Sequence, residues 1–187
     1  MKPYRIFVGL AAAVLLGGCA GRPETAAEPT PAPAASTGAG TSAPAEAARR
    51  EAGSVSVEIT PPAGWEPVAG SVLDVQYQKE TASFMVKTED FGGADLDDVV
   101  RQAEAIFTSS FEELRMTAEP EAVTVDGKDA RQMIFTCTIS GLSMEYWYVY
   151  LYASDNLYAI TFGDAASAFD SRREDFQIIL DTIRFVS

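Results

Sequence analysis

The 187-residue sequence contains no histidine. That absence removes the side chain that most often serves as general base and metal ligand near neutral pH. Cysteine is almost missing too: Cys19 and Cys137 are the only two. A disulfide-stapled fold and a cysteine–histidine catalytic pair are both excluded. No serine stands in a Gly-x-Ser-x-Gly elbow, and no phosphate-cradling glycine loop occurs. Long apolar runs are lacking as well. The run 6–16 has 11 residues, against the ~20 that a membrane-spanning helix needs. Basic residues are scarce beside acidic ones, 14 against 27, for a net charge of −13. Residues 54–187 alone hold 9 basic and 23 acidic residues, a net charge of −14. Such a surface is repelled by nucleic acid phosphates and by anionic lipid headgroups, so no nucleic-acid partner is expected.

What is present begins with a three-part leader. Lys2 and Arg5 make a positive start, 6–16 form an apolar core, and Leu16-Gly17-Gly18-Cys19 closes the segment. A core this short suits an export signal rather than a permanent span. Its end resembles the lipobox of bacterial lipoproteins. Small residues fit a peptidase cleft, and the thiolate of Cys19 takes a diacylglyceryl group carrying palmitate-type chains. The resemblance implies a signal peptide at 1–18, cleavage between Gly18 and Cys19, and a mature chain held by its acylated Cys19. Two acyl chains anchor stably where one holds only marginally. The expected location is the extracytoplasmic side of a bacterial membrane, the outer membrane if the source has one.

Between residues 20 and 53 there is no Leu, Ile, Val, Met or aromatic residue. This Ala/Pro/Thr-rich stretch has nothing to bury, and 19–53 is expected to be a lipidated, disordered tether. Residues 54–187 have ordinary globular composition and suit one domain, long enough to bury roughly two-thirds of its chain surface.

Within that domain Val55, Val57 and Ile59 alternate with polar residues as in a strand, stopped by Pro61-Pro62-Ala63-Gly64 before Trp65. Segments 72–78 and 82–88 are strand-like. Asp95 is a helix N-cap, with Asp97 and Asp98 in the first turn. Leu96, Val99, Val100, Ala103, Ile106, Phe107, Phe111 and Leu114 continue at helical spacing. Next come hairpin strands at 123–125, 130–139, 142–153 and 157–162, with turns at Asp126-Gly127, Ser140-Gly141 and Asp155-Asn156. In that register Leu151 faces Ile160, Val149 faces Phe162, Tyr150 meets Thr161, Tyr152 meets Ala159, and Met133 meets Tyr148. Both faces are then too apolar for water and need covering layers. A helix over about 166–180, with Phe169, Phe176, Ile179 and Leu180 as its apolar stripe, and a short closing strand at 183–185 complete the set. The expected class is α+β, an antiparallel sheet with helices packed on it.

Few side chains present themselves as a site. Tyr146, Tyr148, Tyr150 and Tyr152 share one strand face and would form a platform for a ligand or partner if exposed. With Met133, Phe135 and Cys137 as neighbours, they read as core lying beneath a helix. Trp65, after a proline-rich turn, is a further candidate for that ligand or partner surface, and reads first as a plug over the sheet end. Asp90 and Asp95 are the candidates for a cation site, but capping accounts for Asp95 and no calcium-loop spacing occurs. Cys137 falls on an apolar strand face and reads as core. Acidic pairs such as Glu112-Glu113 carry no information in so acidic a chain. No catalytic residue, metal site or cofactor is assigned.

The order of strand, Pro-Pro-Ala-Gly-Trp, strands, long helix, Val-Thr-Val-Asp-Gly-Lys-Asp-Ala (123–130), long hairpins and closing Phe-Gln-Ile-Ile-Leu-Asp-Thr-Ile-Arg-Phe (176–185) resembles the PsbP-like superfamily, which includes bacterial DcrB-type lipoproteins. The resemblance implies an αβα sandwich, with a central antiparallel sheet flanked by helices, and a binding or assembly role. It transfers no catalytic residue. Together with the anchor it gives the expected function: a membrane-anchored, non-enzymatic binding or assembly module whose partners are the lipid bilayer, through Cys19, and an envelope protein or ligand. A small-ligand or divalent-cation receptor is the alternative, and a carboxylate-pair hydrolase the remote one.

Overall fold

The computed structural model describes residues 55–73 and 75–186. The expected signal peptide (1–18), the lipidated Cys19 and the tether (19–53) lie outside the described residues. In chain order the domain comprises β1 (Ser56–Glu58), β2 (Glu66–Pro67), β3 (Val75–Lys79), β4 (Ala82–Glu89), α1 (Leu96–Ser110), β5 (Glu112–Met116), β6 (Glu121–Val125), β7 (Lys128–Ile139), β8 (Leu142–Ala153) and β9 (Asn156–Ala165). A 3-10 turn (Phe169–Arg172), α2 (Arg173–Thr182) and β10 (Arg184–Val186) complete it.

Strands run β2-β3-β4-β9-β8-β7 across the main sheet, all antiparallel. The outer edge of β7 is shared, with β6 along residues 128–132 and β5 along 135–138. Separately, β1 pairs with β10, Ser56 opposite Val186. Because side chains alternate along a strand, the sheet has two apolar faces. One carries Phe84, Val86, Trp147, Val149, Ile160 and Phe162 beneath Phe169, Phe176, Ile179 and Leu180. The other carries Met133, Phe135, Cys137, Tyr150 and Ala159 beneath Val99, Val100, Ala103 and Phe107 of α1. Helices thus cover both faces, giving an α+β, αβα sandwich.

Four local expectations are corrected. The first helix ends at Ser110 and does not continue to Leu114. The hydroxyls of Ser109 and Ser110 both donate to the Ile106 carbonyl, at 2.7 Å each, and so compete for the last turn's acceptor. Leu114 and Met116 then pack from β5 onto the α1-side core. The strand expected at 72–78 starts only at Val75, and Val72 is 98% exposed. Ser71 holds a bend there, accepting from the Leu73 amide and donating to Gln76. The last helix is divided, with a tighter 3-10 turn preceding α2. Finally, the β8–β9 turn is Ser154-Asp155, so Val149 faces Ile160, Leu151 faces Tyr158, Tyr150 faces Ala159 and Tyr152 faces Leu157. That is a slip of two positions, which leaves every side chain on its expected face. Met133 does face Tyr148.

Candidate functional site

The tyrosine ladder of β8 is assembled by strand periodicity and closed by α1. Phe107 of α1 lies 4.8 Å, centroid to centroid, from Tyr148. Phe111, which caps α1, stacks on Tyr146 at 6.3 Å, and Phe91 meets Tyr150 edge-on at 6.2 Å. Tyr150 is fully buried, while Tyr146, Tyr148 and Tyr152 are half-buried. The Tyr152 hydroxyl donates to the Ala94 carbonyl at 2.7 Å, tying β8 to the entry of α1. Burial pushes the phenols of Tyr146, Tyr148 and Tyr150 above their ordinary range, so they stay neutral and offer no phenolate. Beneath Tyr146 lies Gly163, where an added Cβ would stand 2.6 Å from the ring carbon Cε1. The glycine is needed for that close approach.

Trp65 sits on the opposite face, edge-on to Phe84 at 5.6 Å and 5.9 Å from Phe176. Its indole donates to Asp175 at 3.0 Å, and Lys79 donates to the same oxygen at 2.7 Å. Asp90 accepts from the Gly92 amide and Asp95 from the Asp98 amide, each at 2.8 Å. Both carboxylates are thus engaged by local backbone. Among the described residues no three Asp, Glu or Cys side chains are grouped to hold a metal ion. The structure brings the four tyrosines together and leaves Trp65, Asp90 and Asp95 as separate features. Cys137 is buried beside Phe135, and burial pushes its thiol up to about 11, which makes it a core residue with little thiolate.

One cluster was not visible in the sequence. Glu145 of β8 and Asp164 of β9 are register partners on the α2 side, and both are buried. Directly opposed side chains in such a pair stand about 5 Å apart at Cβ, so the two carboxylates are neighbours on one face. Their surroundings give them a structural role. Arg173 donates to Glu145 at 3.1 Å. Asp164 accepts from the Ala165 amide at 2.7 Å, and its other oxygen lies 3.8 Å from Arg172 Nε. Arg172 also pairs with Glu80 in the β3–β4 turn. Burial raises the Glu145 carboxyl above its ordinary value, opposed by Arg173. Asp164 has no exposed surface, and the two carboxylates seat the Arg172–Arg173 junction on the sheet. The sequence signal that could have found it is the pair of adjacent arginines opening a helix whose own first turn is acidic.

No family model and no curated protein matches the chain. Solved structures do. LpqN of Mycobacterium tuberculosis, involved in cell envelope biogenesis, superposes with a TM-score of 0.58 at 11% identity, covering 74% of this chain and 88% of LpqN. The domain shares the fold of LpqN, an α+β antiparallel sheet with helices packed on it. The cyanobacterial PsbP (CyanoP) of Synechocystis sp. PCC 6803 is 13% identical over 72% of this chain and 95% of its own, with a TM-score of 0.49. A Pseudomonas aeruginosa protein, PA94, is 13% identical over 66% of this chain and 78% of its own, also at 0.49. Among the described residues no helix is long and apolar enough to cross a membrane.

Proposed function

We propose that the chain is an extracytoplasmic lipoprotein whose PsbP-like domain works by binding or assembling with another envelope component rather than by catalysis. The lipobox-like Leu16-Gly17-Gly18-Cys19 carries the proposal. With it go the division into signal peptide (1–18), lipidated tether (19–53) and domain (54–187). The fold shared with LpqN, a protein of cell envelope biogenesis, supports the envelope setting. The burial of Asp164, the engagement of Glu145 by Arg173 and the packing of Phe91 on the buried Tyr150 support binding over chemistry.

Labelling of bacteria expressing the chain with tagged palmitate tests the anchor. The wild-type chain takes the label and partitions with detergent, and Cys19→Ser does neither. Cross-linking of the anchored chain in intact envelopes then tests the role, with a defined partner as the expected product. Label on Cys19→Ser removes the anchor. Turnover of a substrate abolished by one point change, with no partner captured, removes the binding role.

A further inference from the structure

The two apolar cores lie on opposite faces of one sheet and share its strands, but different parts of the chain close them. The α1-side core draws only on residues between 91 and 159. The opposite core is closed by two terminal segments, 55–67 and 169–186. These segments hold on to each other. Among the described residues β1 has no strand partner except β10. Thr182 donates to the Thr60 carbonyl at 3.2 Å, across 122 positions. Trp65 donates to Asp175 and packs on Phe176. The ladder β3-β4-β9-β8-β7 is continuous without either segment, which add to it only the two residues of β2.

We propose that residues 55–67 and 169–186 form a single clasp, which opens as one unit while the sheet and α1 remain assembled. Subglobal opening of this kind follows cooperative blocks of contacts. The clasp is fastened to the sheet by contacts of three sorts. Phe176 lies 4.7 Å from Phe162 and Phe185 lies 4.9 Å from Tyr158. Charges couple Lys79 to Asp175, Arg172 to Glu80 and Asp164, and Arg173 to Glu145. The Phe185 amide donates to Asp126. Opening uncovers the strip of Phe84, Trp147, Val149, Ile160 and Phe162. The closing pieces come from the two ends of the domain, so neither is complete until the other is present.

Hydrogen exchange of the full chain, followed through urea concentrations below the global transition, tests this. Amides in 56–58, 173–182 and 184–186 are expected to exchange about tenfold or more faster than those in 99–107 and 133–150, and to share one urea dependence. Phe176→Ala should accelerate the first group together and leave α1 unchanged. A single opening common to all amides overturns the proposal, and so does separate behaviour of 56–58 and 184–186. Where Phe176→Ala does not fold, the wild-type urea series decides alone.

Discussion

The carboxylate of Asp126, at the tip of the β6–β7 hairpin, accepts the backbone amide of Phe185 in the last strand at 3.0 Å. Asp126 adopts φ 51°, the left-handed region, with Gly127 following at φ 70°. The turn therefore aims a side chain at a strand 59 residues away. Val-Asp-Gly-Lys and Ile-Arg-Phe, two segments of the sequence pattern that pointed to the fold, are physically joined by this bond. Lys128 donates to the same carboxylate at 2.9 Å, and Arg184 stands 3.7 Å from its other oxygen.

Asp126→Ala is expected to cost about 2 kcal/mol, the scale of a hydrogen bond to a charged group. Asp126→Asn, which keeps an acceptor and tolerates the turn, should cost about half that. The Phe185 amide, with help from Lys128, holds the Asp126 carboxyl below its ordinary 3.8. Its contribution is therefore complete above that value and fades as pH falls below it, through the lowered value of the folded state. Urea titrations near pH 7 and near pH 3 check this: the gap between wild type and Asp126→Ala should shrink in acid. A gap of constant size would show that the charge is irrelevant.

Gly163→Ala places a methyl group against the Tyr146 ring and should cost about 1–3 kcal/mol, the usual penalty of overpacking. Tyr146→Ala removes the obstacle, so the double variant should be more stable than the sum of the two single changes implies. Thermal melts of the four proteins close the cycle, and strict additivity would mean that the ring moves aside freely.

Glu145 titrates with the opposite sign to Asp126. Burial raises its carboxyl above 4.5 in the folded state, so the folded protein holds the proton more tightly than the unfolded chain does. Its effect is a loss of stability as pH rises from 4.5 through the raised value. Glu145→Gln cannot lose a proton, so its stability profile over that window should be flatter than the wild type's. Matched urea midpoints across the window test it, and parallel profiles would refute the assignment.

Cys137 should be nearly inert. In a Cys19→Ser chain, where it is the only thiol, a disulfide reagent at mildly alkaline pH should react on the order of a hundredfold or more slower in the folded state than in denaturant. Comparable rates would place the sulfur at the surface.

Period-two alternation made most of the sheet legible. Met133, Phe135 and Cys137 and the four tyrosines all lie on the face expected, even where the β8–β9 turn is displaced by one residue. The turn itself was misplaced because Ser154, at φ 53°, takes the left-handed position that an Asp-Asn pair advertises more loudly. Leu114 was read as helix because its distance from Phe107 and Phe111 fits a helical face, whereas the free edge of β7 that recruits β5 is a tertiary fact. The Glu145–Asp164 cluster was hidden for the same reason: pairing distant residues requires the register of β8 against β9 and the return of α2 across them.

The pairing of Ser56 with Val186 places the two ends of the described domain about 5 Å apart at Cα. A short linker would therefore join them without disturbing either strand. The domain could be reopened at the exposed Ser140-Gly141 tip, giving a circular permutant whose new ends lie on the opposite hairpin. A fusion placed just after Val186 would sit beside Ser56 and leave that hairpin free for a partner.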